Sequence, residues 1–317
     1  MYFPVADIEV SPLLPPLIAF GISFFTSMGG VSGAFLLLPF QVSVLGFTSP
    51  AVSSTNQLFN IVAIPSGVYR YIKEGRMLWP LTWVVIIGTL PGVLVGAILR
   101  IKYLPDPKNF KLFAGLVLLY MGGRLLQDLL FKKRKADMPT VEERFQQRHK
   151  NQSRAPGSEA ASPDNLPRVT VCRWTPTRIV FEFYGETFTV NAVGLMALSL
   201  VVGMVGGVYG IGGGAIIAPF LVSFFGLPVY TVAGASLMGT FVTSVAGVLF
   251  YQLLAPHYPG MVIAPDWLLG FLFGIGGFAG MYCGARLQKF VPAKFIKWIL
   301  VTCLLLTAGK YIWSFLC

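Results

Sequence analysis

The chain has 317 residues, 55% of them hydrophobic and only 12% charged, with a formal net charge of +11. A soluble domain carries roughly 25% charge, and the mean hydropathy here is +0.71, so water is not the main solvent of this fold. The basic balance would suit a nucleic-acid binder, but Lys and Arg stand in loops flanking apolar runs, where membrane orientation accounts for them; nucleic acid is therefore excluded as a partner.

Met1 to Pro12 is short and polar, with no basic stretch and no small-residue cleavage site. The apolar run from about Leu13 is accordingly read as a retained span and not a signal peptide. Cutting at polar and Pro/Gly punctuation gives eight apolar segments, at about 13–45, 49–71, 78–100, 108–131, 189–226, 229–252, 267–288 and 293–315. A helix needs about 20 residues to cross some 30 Å of hydrocarbon, so the expected fold class is an all-α polytopic membrane protein.

The first and fifth segments exceed thirty residues and are broken by glycine. The first break, Ser27 to Gly33, holds Gly29, Gly30, Ser32 and Gly33; the second, Gly206 to Gly214, holds Gly210, Gly212, Gly213 and Gly214. An unwound backbone in hydrocarbon is tolerated only where protein or a wet cavity satisfies it. Each break also starts a half-helix, at about Ala34 and Ala215, whose unpaired first amides form the positive end of a dipole. Two such ends meeting would make an anion site without a buried cation. The plain structural alternative is that the glycines only permit close helix packing.

Polar residues follow at once in the second segment. Ser53, Asn56 and Asn60 fall on one helical face, with Gln57 beside them, and the sixth segment has Ser236, Thr240, Thr243 and Ser244 in the matching stretch. Neutral donors suit an anion that must bind and leave, whereas interhelical hydrogen bonding is their simpler explanation. Arg70 and Arg124 are candidate mouth or gate residues, and Arg286 has the same option; snorkelling to the interface is the competing reading.

Residues 132–188 form the one long polar stretch and open with Lys132-Lys133-Arg134-Lys135. They divide a first membrane repeat, 1–131, from a second, 189–317, and are read as a cytoplasmic loop ending in a short β-hairpin with turns at Pro176 and Gly185. Cys172, Cys283, Cys303 and Cys317 lack metal or redox spacing; no metal, cofactor or catalytic residue is expected.

The two halves are copies. A shift of 180 positions lays Gly30, Gly33, Pro39, Phe40, Gly46, Gly67 and Tyr71 on Gly210, Gly213, Pro219, Phe220, Gly226, Gly247 and Tyr251. The basic loop Arg70 to Arg76 is matched by a loop, Pro256 to Asp266, without Lys or Arg, which points to inverted repeats with re-entrant first and fifth segments. The loops Lys102 to Lys111 and Arg286 to Lys297 are both basic and argue the other way.

Gly210 to Leu237 and Thr26 to Arg76 resemble the two repeats of the sulfite exporter TauE/SafE family, most specifically in the glycine cluster followed by Pro and then Gly-x-Pro. The resemblance implies a secondary transporter of a small sulfur-containing anion such as sulfite, a sulfonate (sulfoacetate) or a related organosulfur anion. It implies alternating access in the inner membrane of a bacterium or archaeon, with the lipid bilayer and the anion as partners. Proton coupling and a homodimer stay open. Alternatives are a passive anion channel, which flux saturation would separate, and an intramembrane serine protease suggested by Gly30-Val31-Ser32-Gly33. The protease reading lacks an intramembrane base, since His149 and His257 lie in loops.

Overall fold

The computed structural model describes residues 1–28, 31–73, 75, 77–131, 169–183, 185–287 and 293–316. Gly29, Gly30, Arg76, the Lys132 to Lys135 run and His149 lie outside the described residues. The described chain is built of ten α-helices with two small sheets. The first half gives α1 (Leu14–Met28), α2 (Ala34–Ser43), α3 (Ala51–Lys73), α4 (Trp79–Lys102) and α5 (Pro107–Phe131). The second gives α6 (Ala192–Tyr209), α7 (Gly213–Ser223), α8 (Val229–Leu254), α9 (Trp267–Leu287) and α10 (Ala293–Leu316). Among the described residues six helices, α4, α5, α6, α8, α9 and α10, are long and apolar enough to cross a membrane. The 23-residue α3 is long enough but carries the polar run Ser53 to Gln57. Segments one and five are each two helices separated at their glycine clusters.

A pair β1 (Tyr2–Phe3) and β2 (Ile8–Glu9) precedes α1. Before α6, β3 (Thr170–Trp174), β4 (Arg178–Phe183) and β5 (Glu186–Asn191) form an antiparallel meander, so three strands stand where the sequence suggested a hairpin. Its alternation buries Ile179, Phe181 and Phe183 on one face. Asn191 ends β5 and caps α6, accepting from the amides of Val193 at 3.1 Å and Gly194 at 3.2 Å.

The direction of each helix follows from glycine contacts. Gly270 and Gly274 of α9 lie on Leu58 and Val62 of α3, and Gly276, Gly280 and Gly284 lie on Pro16, Phe20 and Phe24 of α1, so α1, α3 and α9 are parallel. Gly88, Gly92 and Gly96 of α4 lie on Ser199, Leu200 and Met204 of α6, making that pair parallel as well. Gly67 meets Leu237 while Gly247 meets Gln57, so α3 and α8, matched by the repeat, are antiparallel. The start of α3 is tied to the loop before α9 by Ala51 N–H to Val262 O (3.0 Å) and Ser54 Oγ to Ile263 O (2.8 Å). That end is termed the first side. The opposite end of α3 is tied to the sheet by Val169 N–H to Gly75 O at 3.4 Å.

These contacts exchange partners between the halves: α1 packs on α9 and α6 on α4, each across the repeat boundary. The approach is so close that side chains would not fit. A Cβ at Gly96 would lie 2.3 Å from Met204 O, and one at Gly276 would lie 2.0 Å from Pro16 O. Gly96→Ala and Gly276→Ala are each expected to destabilise the fold by about 1–3 kcal/mol or more through overpacking. Thermal unfolding in detergent checks this, with Gly123→Ala, where nothing lies within 4 Å of the added carbon, unchanged as the control.

Candidate functional site

The second break is made by two left-handed glycines, Gly210 (φ +80°) and Gly212 (φ +75°), a conformation that side chains resist. α7 starts at Gly213, two residues earlier than Ala215. α6 carries the break to Ser53, near the first side, because a Cβ on Gly210 would sit 2.5 Å from Ser53 Cα. α7 then begins beside Thr89, midway along α4, and leads back to the start of α8 on the second side. α1 runs parallel to α9, away from the first side, and α2 returns toward the start of α3. Each half thus contributes one helical hairpin, and the two enter from opposite sides.

The hairpins meet at α3. Asn56 Nδ2 donates to Ala34 O of the first break and to Gly210 O of the second, both at 3.0 Å. Asn60 Nδ2 donates to Ile211 O at 3.1 Å and to Ser244 Oγ of α8 at 3.3 Å, while its Oδ1 accepts from Ser32 Oγ. Ser53 Oγ adds Val208 O at 3.2 Å. The i, i+3, i+7 face of α3 therefore satisfies carbonyls of the second break, Val208 O, Gly210 O and Ile211 O, and ties them to Ala34 O at the start of α2. Ser32, Ser53, Asn56 and Asn60 are fully buried. The hydroxyl of Ser32 donates to an amide oxygen, so a serine nucleophile gains no base from this arrangement.

The half-helix ends are partly capped, and this differs from the bare ends expected. Ala34 N–H donates to Ser32 Oγ at 3.3 Å, and Gly213 N–H donates to Thr243 Oγ1 at 3.1 Å. A hydroxyl two positions before α2, and one across from α7, accept these first amides; in α2 the Leu36 and Leu37 amides bond Gly33 O at 3.1 and 3.0 Å, which leaves Phe35 N–H as its open first-turn amide. A further link joins the hairpins directly. Pro39 lacks an N–H, which frees the carbonyl four residues earlier, and Tyr209 Oη donates to that Phe35 O at 3.0 Å. Tyr209 was missed in the sequence, although the proline inside an apolar run marks an unpaired carbonyl. Gln41 was also missed; its Nε2 donates to Asn56 Oδ1 at 3.2 Å.

Other buried polar atoms of α1, α3 and α8 have no partner. Gln57 is fully buried with neither Oε1 nor Nε2 bonded, and it lies against Gly247 of α8. Ser236 Oγ, beside Gly214, and Ser23 Oγ, beside Gly33, are likewise unbonded. Thr240 turns its hydroxyl back to Ser236 O at 2.8 Å. Arg124 is away from the breaks: its Nη1 donates to Gln127 Oε1 at 2.9 Å and its guanidinium lies 5.0 Å over the Phe224 ring. Arg70 stands in the last turn of α3 and Arg286 is exposed at the end of α9, so none of the three arginines joins the breaks.

Among known proteins, the family model described as Sulfite exporter TauE/SafE matches residues 16–311. No curated protein and no solved structure matches the chain.

Asn60→Leu, close in volume, removes the partners of Ser32, Ile211 O and Ser244 at once. Each orphaned buried group costs about 1–3 kcal/mol, so the variant is expected to unfold at a clearly lower temperature in detergent than Ser53→Ala, which orphans one carbonyl.

Proposed function

The chain belongs to the sulfite exporter TauE/SafE family, whose members are membrane transporters, and from that premise we propose that it is a multi-pass secondary transporter exporting sulfite, a sulfonate such as sulfoacetate, or a related organosulfur anion. The observation that carries this reading is the meeting of two broken hairpins, entering from opposite sides, at the polar face of α3. Broken helices that point their starts at a common place recur where anions bind within membranes. Phe35 N–H of α2 and the first-turn amides of α7 after Gly213, with Gln57 Nε2 and Ser236 Oγ, are the donors for the anion in this reading. Asn56 and Asn60 use their amide hydrogens on backbone and hydroxyl, and so act as positioning residues. The described glycines of the breaks, Gly33, Gly210, Gly212, Gly213 and Gly214, supply room for close approach.

The antiparallel course of α3 and α8 and the opposed hairpins support an inverted repeat, with domains at 1–131 and 189–317 around the 132–188 loop. Alternating access fits better than a passive channel, because Ser32, Asn56, Gln57, Asn60 and Thr240 are sealed from solvent on both sides. An open pore would wet them. We place the second side, with Arg70, Lys73 and the Lys132 run, in the cytoplasm of a bacterial or archaeal inner membrane, with Arg70 and Arg124 at its mouth.

In proteoliposomes, radiolabelled sulfite is expected to enter saturably and to be accelerated by unlabelled sulfite inside; linear flux without acceleration would indicate a channel. An imposed pH gradient in the same vesicles reads out proton coupling, and cross-linking reads out a homodimer. Gln57→Leu orphans no partner, so it is expected to fold and to bind sulfite about tenfold or more weakly, the loss of one hydrogen bond to a charged group.

A further inference from the structure

Arg100 stands in the last turn of α4 and is fully buried. An ionised side chain there is expensive unless its donors are used. One donor is: Nη1 bonds Leu104 O, in the manner of a cation at a helix C-terminus, and the guanidinium lies 3.8 Å over the Phe110 ring. Nε and Nη2 have no partner. Tyr251, near the end of α8, is equally buried and its hydroxyl also has no partner. It packs with Ala97 and Ile101, the residues three before and one after Arg100 on α4. Both helices end on the first side, where α3 begins.

A planar cation with two unbonded nitrogens, Nε and Nη2, a phenol with a free O–H and an apolar wall of Ala97, Ile101 and Ile263 have the chemistry to receive one small oxyanion. We propose that Arg100 and Tyr251 form a second anion site at the first-side ends of α4 and α8, a station that a sulfite-class oxyanion occupies between the central breaks and the first side. The proposal rests on the transporter reading. The helix-capping bond to Leu104 O explains one donor of Arg100 and the ring explains its stacking, but neither involves Tyr251 or the nitrogens Nε and Nη2.

The test is equilibrium binding of radiolabelled sulfite to the purified full chain in nanodiscs of zwitterionic lipid. The wild type is expected to bind two anions per chain. Tyr251→Phe, which removes only an unbonded hydroxyl, and Arg100→Met are each expected to weaken one of the two by about tenfold or more. Tyr251→Phe keeps the bond to Leu104 O, so it carries the test even where Arg100→Met does not fold. Two sites of unchanged affinity in Tyr251→Phe would overturn the proposal, as would a single sulfite site in the wild type together with phosphatidylglycerol retained through purification and lost in Arg100→Met, which would assign the station to a lipid headgroup. Failure of the central reading looks different: Gln57→Leu then leaves binding unchanged while Tyr251→Phe still lowers it.

Discussion

A backbone interrupted inside an apolar protein must find partners for its carbonyls and amides, and this fold depends on how it does so. The interruptions leave Gly210 O and Ile211 O outside any helix, and two asparagines of one helix face take both, Asn56 bonding Ala34 O at the start of α2 as well. Each asparagine amide has two donors and one strong acceptor in fixed geometry, so it can bridge groups from different chain segments. Serine or threonine could satisfy one carbonyl but not tie two breaks together. The pairing also fixes where the half-helices start, and hence where their dipoles point.

The remaining architecture follows from bringing these hairpins together. α1 leaves its own half to pack on α9, and α6 packs on α4, along glycine-lined seams with backbone against backbone. Seams of that kind gain from dispersion and close approach more than from interlocked side chains, and they have few side chains to unlock if one half slides on the other. The contact between α3 and α8 is different in kind. It carries the unbonded Gln57 against Gly247 and the bond from Asn60 to Ser244, and so couples the two halves through polar groups.

Much of this was legible in the sequence because it is local or periodic. Span lengths, the 180-residue repeat, the two glycine breaks and the shared face of Ser53, Asn56 and Asn60 are all properties of single segments or of their spacing. What was not legible is non-local. Nothing in the sequence of α1 says that its partner is α9 and not its own neighbour. The link from Tyr209 to Phe35 O needs the proline at 39 and a tyrosine 170 positions away to be read together. In the sequence Arg100 stands at a span end two residues from Lys102, and only its burial separates it from that exposed lysine. The cap on Gly213 was not legible because Thr243 reaches across from another helix, whereas the cap on Ala34 is local, from Ser32 two residues before it.

The central claim is that the starts of α2 and α7 jointly hold an anion. Anomalous diffraction from crystals grown with selenite, a heavier relative of sulfite, tests it most directly. The account predicts a selenium peak between those two helix starts, within hydrogen-bond distance of their first-turn amides and close to Gln57. Selenite bound elsewhere, with the space between the two helix starts empty, would contradict it.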